Sequence, residues 1–352
     1  MQMIILQKPA TLARFLWSVF RTDKSRIGWR TVIVLTAILS VCRADEDGLR
    51  REPFNLIGLP TAFDFERPGS VLLHGGGEIT DDVFEKFCSL AGGPEARIVF
   101  VPSAGYRLED FSSEEEMLDL LRSRYGDWAH LEEEGLAESF RFLYTDNPED
   151  ADDDDFIEPL LNATGVWFSG GAQVQLNKRF VGEEHRQTRF QQALRGIIER
   201  GGVVGGTSAG MAAMPEIMTL FDEDRESAIQ PVKAVAARGL GLFHGAIVEQ
   251  HFNGITGRFE RFTKLLRNNE ELNKMNGREN AAFKMVGLAV DEDTALLIQG
   301  DHITSLGSGS SHVFIKSHSG RSIVWHTLNC GDSAELSEDA VTKATLLKVE
   351  NR

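Results

Sequence analysis

Short apolar segments alternate with segments of helical periodicity from residue 70 to about residue 250. The apolar segments have no polar face, which predicts strands that are buried on both sides. They are Val71–His74, Arg97–Pro102, Phe140–Tyr144, Gly165–Phe168, Val203–Val204 and Ala246–Val248. Between them, apolar residues recur at helical spacing in Val83–Ala91, Ser112–Gly126 and Glu184–Arg200. This alternation predicts a doubly wound α/β fold, in which helices cover both faces of a mostly parallel sheet.

The pattern changes after residue 285. Apolar segments then follow one another with only short turns between them, which predicts an antiparallel C-terminal extension. These segments are Val286–Val290, Ala295–Gln299, His302–Leu306, Val313–Ile315 and Ser322–Trp325. We therefore predict one domain over 70–310. Strands and a helix over 311–352 complete this domain, and a linker over 45–69 precedes it.

The first 44 residues differ in charge from the rest of the chain. They carry seven basic residues and one acid, and six of the basic residues precede the apolar run Thr31–Val41. Cys42, Arg43 and Ala44 follow this run. The order is typical of a secretory signal peptide cut after Ala44, which predicts a periplasmic or extracellular protein. A short membrane anchor and a mis-assigned start codon are the alternatives, which would leave the protein membrane-anchored or cytoplasmic.

Composition excludes several classes of function. The net charge of −16 argues against a partner that is a nucleic acid or an anionic lipid surface, because either would need a basic face. Three cysteines cannot staple a chain of 352 residues. There is no apolar run of about 18 residues, so a polytopic membrane protein is excluded. The histidines show no metal-ligand spacing, and we predict no metal or cofactor.

The strongest chemical signal is the segment Gly206-Thr207-Ser208-Ala209-Gly210, which follows an apolar strand and precedes a helix-compatible segment. A nucleophile elbow needs this arrangement, because the serine takes strained backbone angles and small neighbours let the chain turn sharply. Such a turn exposes the hydroxyl group of Ser208 and directs the amide of Ala209 at a developing oxyanion. We therefore predict that Ser208 is a nucleophile.

The residues alone leave two enzymes open. In an α/β-hydrolase esterase, His74-Gly75-Gly76-Gly77 would be the oxyanion loop and Asp291 the acid. The base would then be one of the late histidines, His302, His312, His318 or His326. The other reading takes His251 as the base, because it ends a predicted strand downstream of the elbow.

Several motifs, taken in order, resemble one family. They are Leu72–Gly77, Ala96–Ala104, Gly165–Gln173, Gly205–Gly210, Glu249–Phe252, Gly257-Arg258 with Arg261, and Gly287–Ala295. In this order they resemble the serine peptidases that contain cyanophycinase and the α-aspartyl dipeptidases, which have a class I glutamine-amidotransferase-like fold. The match is closer to cyanophycinase, and it implies an exopeptidase that cleaves a β-aspartyl-arginine polymer, or related aspartyl peptides, through an acyl-enzyme.

The resemblance also implies roles for single residues. Ser208 would be the nucleophile, His251 the base and Glu292 the carboxylate that orients it. The dipeptidase branch instead takes its third member from shortly after the serine, where residues 222–224 are acidic here. The oxyanion would be bound by the backbone amides of Gly171 and Ala209.

Substrate-binding residues follow from the same motifs. Gln173, Gln250, Arg258 and Arg261 would line the pocket, and the arginines suit an acidic or aspartyl peptide because a guanidinium group binds a carboxylate bidentately. The resemblance allows a homodimer. Three departures put cyanophycin itself in doubt: Ala172 replaces an acid or amide, Glu249 replaces an aspartate, and the first arginine expected at 253–256 is absent. These departures leave Ser208, His251 and Glu292 intact. A catalytically silent peptide-binding protein is a further alternative beside the esterase.

Overall fold

A nine-stranded, mostly parallel sheet forms the centre of the computed structural model. The structure describes residues 54–55, 68–102, 104–183, 186–221, 234–254, 257–276, 281–316 and 323–336. The predicted signal peptide, nearly all of the linker, the acids at 222–224, His318 and the predicted C-terminal helix lie outside these ranges.

The strands fall into three sheets. In chain order they are β1 (Phe54–Asn55), β2 (Ser70–His74), β3 (Arg97–Val101), β4 (Ser139–Phe142), β5 (Gly165–Phe168), β6 (Val203–Thr207), β7 (Ile217–Phe221), β8 (Ala234–Arg238), β9 (Ala246–Glu249), β10 (Val286–Val290), β11 (Thr294–Gln299), β12 (His302–Gly307), β13 (Ser310–Lys316), β14 (Ile323–Asn329) and β15 (Ser333–Glu335). The large sheet has the order β1-β15-β12-β11-β2-β6-β5-β3-β4, the second sheet β14-β13-β10-β9, and β7 pairs with β8.

Helices cover both faces of the large sheet. In chain order the helices are α1 (Asp81–Ala91), α2 (Glu114–Arg124), α3 (Gly126–Ala129), α4 (Asp154–Leu161), α5 (Gln173–Phe180), α6 (Arg189–Glu199), α7 (Ala209–Ala212), α8 (Arg258–Arg267) and α9 (Asn269–Asn276). Of these, α8 and α9 pack against the second sheet and the β7–β8 pair rather than against the large sheet. Short 3-10 turns lie at Gly93–Glu95, Leu108–Asp110, Pro148–Asp152 and Ala281–Lys284.

Strand β2 shows why its sequence is apolar throughout. Val71 and Leu73 point into a core with α4 and α6, whereas Leu72 points into a core with α1 on the opposite face. Successive side chains of a strand alternate between faces, so a strand covered on both sides has no polar positions. The mixed α/β class with a mostly parallel sheet is therefore confirmed.

The second sheet contains a difference from the expected arrangement. The segment Ala246–Glu249 forms β9, which pairs in parallel with β10 rather than with a strand of the large sheet. Strand β13 runs antiparallel to both β10 and β14, as the close spacing of these segments predicts. Phe262 of α8 packs against Phe314 of β13, so helix α8 covers one face of this sheet. Apolar periodicity identifies such strands but does not state which partner each one has.

Two helix starts also differ from the prediction. Helix α6 begins at Arg189 rather than at residue 184, because Thr188 caps it and forms a complete capping box with Gln191. Helix α2 begins at Glu114 rather than at residue 112, because Ser113 caps it and its hydroxyl accepts the N–H of Glu116 at 3.2 Å. Among the described helices, none has the length and apolarity that crossing a membrane requires.

Candidate active site

Ser208 lies in the turn between β6 and α7. Its backbone has φ 52° and ψ −108°, a conformation that costs a residue with a side chain about 1–3 kcal/mol and must be held by its surroundings. Small neighbours permit this turn: a Cβ atom on Gly210 would lie 2.6 Å from the carbonyl oxygen of Phe168. The turn therefore has the backbone form of a nucleophile elbow.

His251 and Glu292 lie next to this serine. Nε2 of His251 is 2.7 Å from Oγ of Ser208, and Nδ1 of His251 is 2.8 Å from Oε1 of Glu292. A carboxylate only accepts hydrogen bonds, so Nδ1 donates to Glu292 and leaves Nε2 to accept the hydroxyl proton of Ser208. The side chain of Glu292 is 41% exposed, and its backbone N–H donates to Oδ1 of Asn253 at 2.9 Å. This is the hydrogen-bond pattern of a serine, a base and an orienting acid.

The predicted oxyanion donors lie on two elements beside the elbow. Ala209 is the first residue of α7, directly after Ser208. The turn after β5 also approaches the elbow, since a Cβ atom on Gly170 would lie 3.5 Å from Cβ of Ser208. Gly171, the next residue, has φ 145° and would place a Cβ atom 2.1 Å from the carbonyl oxygen of Ala104. Their role as oxyanion donors stays a prediction.

The two glutamines predicted to bind substrate contact each other. Nε2 of Gln250 donates to Oε1 of Gln173 at 3.4 Å, and Nε2 of Gln173 donates to the carbonyl oxygen of Thr219 at 2.9 Å. Both glutamines are buried. Oε1 of Gln250 is buried without a hydrogen-bond partner within the described residues.

The two predicted substrate arginines bind Glu249, which is fully buried. Arg258 donates to Oε1 of Glu249 at 2.7 Å and to the carbonyl oxygen of Gln250 at 2.8 Å. Arg261 donates through Nε to Oε2 of Glu249 at 3.1 Å and through a second nitrogen to Oε1. Burial lowers the pKa of Arg258, and the charge of Glu249 opposes that shift. These contacts are made within the protein, and direct binding of a substrate carboxylate by either arginine stays a prediction.

Residues 71–306 match peptidase family S51. The chain belongs to this family. It is 29% identical over 248 residues to a cyanophycinase of Geminocystis herdmanii, covering 68% of this chain and 78% of that protein. It is 28% identical over 230 residues to a cyanophycinase of Synechococcus elongatus, covering 65% of this chain and 61% of that protein. The protein is thus a serine peptidase, as the order of its motifs predicts.

A solved structure shows the same fold. The crystal structure of a peptidase from an acI-B1 Actinobacterium superposes with a TM-score of 0.51 at 22% identity, covering 77% of this chain and 98% of that one. The resemblance to the cyanophycinase-like peptidases is confirmed by the family match and by both cyanophycinase relatives.

The histidines of the esterase alternative make other contacts in this S51 peptidase. Nε2 of His312 lies 3.2 Å from Oδ1 of Asp291, and Nδ1 lies 3.1 Å from Oγ1 of Thr327. His302 is 68% exposed beside Asp301, and burial lowers the pKa of His326. Within the described part of the chain, the histidine bonded to Oγ of Ser208 is His251. Because the chain belongs to peptidase family S51, the esterase alternative is no longer needed.

Other reactive groups are few in the part of the chain that the structure describes. No group of three His, Cys, Asp or Glu side chains is placed there to hold a metal ion. The thiol of Cys88 packs against the core of α1, and burial raises its pKa to about 11. Cys88 is therefore a protonated, poorly nucleophilic thiol at neutral pH.

Sequence reasoning missed two contacts of the site. It treated Glu249 only as a departure from the family pattern, whereas this residue pairs both arginines. It also treated the turn Gly75–Gly77 only as an oxyanion loop of the esterase alternative and as part of a family motif, although that turn contacts His251 and Asp293. Three consecutive glycines after a buried strand are a signal of close backbone approach that could have identified the second contact.

Proposed function

We propose that this S51 peptidase is an exopeptidase that hydrolyses β-aspartyl-arginine peptides, with cyanophycin as the polymeric substrate, through an acyl-enzyme on Ser208. The observation that carries the proposal is the chain of hydrogen bonds from Ser208 through His251 to Glu292, at 2.7 and 2.8 Å. The similarity to two proteins described as cyanophycinases supports the choice of substrate.

The proposed reaction has two steps. In the first step, Oγ of Ser208 attacks the carbonyl carbon of the scissile bond while Nε2 of His251 takes the hydroxyl proton. The N–H groups of Gly171 and Ala209 stabilise the oxyanion. When the carbon–nitrogen bond breaks, His251 returns the proton to the leaving amine, and an ester to Ser208 remains. In the second step His251 takes a proton from water while the water oxygen bonds to the acyl carbon. The bond from this carbon to Oγ then breaks and His251 returns the proton to Oγ, which releases the acid product and restores Ser208.

Glu292 supports both steps through His251. Its carboxylate accepts the Nδ1–H group at 2.8 Å, which fixes the tautomer that leaves Nε2 able to accept a proton. The same carboxylate stabilises the imidazolium that forms in each step.

We assign the substrate contacts to two groups of residues. Gln250 directly precedes the base in the chain and donates to Gln173, so these two glutamines form the first group. Arg258 and Arg261 form the second group and supply positive charge around Glu249, and Arg258 also donates to the carbonyl oxygen of Gln250. An aspartyl carboxylate suits this charge.

The experiment is a panel of substrates with matched variants. Protein lacking residues 1–44 is incubated with cyanophycin and with β-aspartyl and α-aspartyl dipeptides, and released products are measured by mass spectrometry. We expect β-aspartyl-arginine from cyanophycin, lost by a factor of about 10⁴ or more in Ser208→Ala and retained in the exposed-residue control Ser89→Ala. An inert wild-type protein would favour the catalytically silent alternative, and hydrolysis of only α-aspartyl peptides would contradict the substrate.

We also propose that the protein is exported. The support is the order of charge and hydropathy in residues 1–44, with cleavage after Ala44. N-terminal sequencing of the protein expressed from its full gene should find residue 45 as the first residue in the periplasmic or extracellular fraction. An intact N-terminus in the cytoplasmic fraction would contradict export.

A further inference from the structure

The turn after β2 binds three separate segments by three successive carbonyl oxygens. The carbonyl of residue 74 accepts the N–H of Ser208 at 2.8 Å, that of residue 75 the N–H of His251 at 2.8 Å, and that of residue 76 the N–H of Asp293 at 2.7 Å. Two of these donors belong to the proposed nucleophile and base, and the third directly follows Glu292. One five-residue turn (residues 74–78) therefore contacts every segment of the proposed triad.

The same three residues share an unusual backbone conformation. In the described part of the chain, the non-glycine residues with positive φ are Ser208, His251 and Asp293, at 52°, 48° and 56°. Residues with a side chain rarely adopt this conformation, and it persists only where the surroundings impose it. Each of the three has its N–H held by the turn, so the turn supplies a restraint at each strained residue.

The space around the turn admits only glycine. A Cβ atom on Gly75 would lie 2.1 Å from the carbonyl oxygen of Asp291, and one on Gly76 would lie 2.1 Å from Cε1 of His251. A Cβ atom on Gly77 would lie 2.1 Å from Oδ1 of Asp293. Real Cβ atoms do not approach other atoms this closely, so a side chain here would displace the carbonyl group of Asp291, the ring of His251 or the carboxylate of Asp293.

His74 closes the turn with its side chain. Nε2 of its fully buried ring lies 3.2 Å from the carbonyl oxygen of Glu78, and the N–H of Glu78 donates to Oδ1 of Asp293 at 2.6 Å. A carbonyl oxygen only accepts, so Nε2 carries the proton. Burial lowers the pKa of His74 to about 4, which keeps its ring neutral next to His251.

We infer that residues 74–78 are the positioning element of the proposed triad, which sets the strained backbone of Ser208, His251 and the segment 291–293 through three carbonyl hydrogen bonds and glycine-only contacts. The inference rests on the proposed function for the identity of the triad. The residues of the turn act through the triad.

The first test compares alanine substitutions at two glycines of similar φ. Gly76 has φ 128° and no room for a methyl group, whereas Gly92 has φ 114° and no atom closer than 3.7 Å to the position that a Cβ atom would take. Gly76→Ala should lower kcat by a factor of about 100 or more, the scale of a misplacement of about 1 Å. Gly92→Ala should change kcat less than about threefold. Equal losses of kcat in both variants would overturn the inference.

A second measurement tests the contact without using activity. The methyl group of Gly76→Ala would meet the ring of His251, so removing that ring should relieve the clash. The fall in Tm caused by Gly76→Ala should be smaller in the His251→Ala background than in the wild type. An equal fall in both backgrounds would overturn the inference. Full activity in Ser208→Ala would instead refute the proposed function and leave this thermal test valid.

A third pair of variants applies if Gly76→Ala does not fold in either background. His74→Leu removes the donor to Glu78, whereas His74→Gln keeps an N–H donor. His74→Leu should lower kcat about tenfold or more with KM changed less than about twofold, and His74→Gln should recover part of the loss. An unchanged kcat in His74→Leu would overturn the role of the turn.

Discussion

Nδ1 of His251 lies 2.8 Å from Oε1 of Glu292, although 41 positions separate the two residues in the chain. The separation is bridged because β9, which His251 follows closely, pairs in parallel with β10, which ends just before Glu292. Parallel strands present their carboxyl ends at the same edge of a sheet, so this pairing brings the two side chains together.

Replacing this carboxylate by an amide should impair the base. Glu292→Gln keeps the size of the side chain but loses the charge that fixes the tautomer and stabilises the imidazolium. We expect kcat to fall by roughly 10²–10⁴-fold with the fold intact. Steady-state kinetics with the exposed-residue control Glu260→Gln measure this effect. Full activity in Glu292→Gln would indicate another third member, for which residues 222–224 are the candidates.

The buried cluster of Glu249, Arg258 and Arg261 should be sensitive to removal of one charge. Arg261→Ala leaves the carboxylate of the fully buried Glu249 with fewer partners, and breaking a buried ion pair typically costs about 3–5 kcal/mol. Chemical denaturation should show a loss of this size, whereas Arg267→Ala, at an exposed position of the same helix, should change stability by less than about 0.5 kcal/mol.

The same two arginine variants separate support from direct binding. If Arg261 supports the pocket through its ion pair with Glu249, Arg261→Ala lowers the free energy of unfolding together with the activity. If it binds a substrate carboxylate directly, Arg261→Ala raises KM while the free energy of unfolding stays close to that of the wild type. The contacts with Glu249 favour the first result.

Helix α5 begins without a side-chain cap. Its capping position is Ala172, an exposed residue with φ −105° and ψ 110° that suits a capping residue. Ala172→Asn should accept a backbone N–H of the first turn and raise the free energy of unfolding by about 0.5–2 kcal/mol. Ala172→Val, which has no acceptor, is the control. Equal stabilities for the two variants would show that the helix start does not accept a cap.

Lys316 should make stability depend on pH. Its ammonium group donates to Oδ1 of Asn269 and to the carbonyl oxygen of Ala282, and burial lowers its pKa from 10.5 to about 8. Between these two values the unfolded chain binds a proton that the folded chain does not, so stability should rise with pH in this window. The slope for one group is at most about 1.4 kcal/mol per pH unit.

The difference in unfolding free energy between the wild type and Lys316→Met isolates this group. It should shift in favour of the wild type as the pH rises from 8 to 10. A constant difference over this range would show that Lys316 titrates normally.

The sequence predicts the large sheet well because its central strands are apolar on both faces, as in Val71–Leu73. It predicts less about pairing: Ala246–Glu249 has the same apolar character but joins the second sheet, since partner choice depends on contacts far apart in the chain. The charges of Arg258 and Arg261 are visible in the sequence, whereas their burial around Glu249 is not. A sequence pattern identifies cationic residues, but it does not reveal whether they already form ion pairs with a carboxylate of the protein.

The turn at Gly75–Gly77 illustrates a further limit. Three glycines indicate that something approaches the backbone closely, but the approaching groups come from residues 251 and 291–293, far along the chain. Such long-range contacts leave no local pattern in the sequence. The motif order suggested Ser208, His251 and Glu292 as neighbours, and the structure places their side chains within hydrogen-bonding distance.

The most direct test of the proposed triad is the rate and site of covalent labelling by a fluorophosphonate, measured by peptide mass spectrometry. We predict one adduct on Ser208 in the wild type, none at that position in Ser208→Ala, and labelling slowed by a factor of about 100 or more in His251→Ala. An adduct on another residue, or labelling of His251→Ala at the wild-type rate, would contradict the triad.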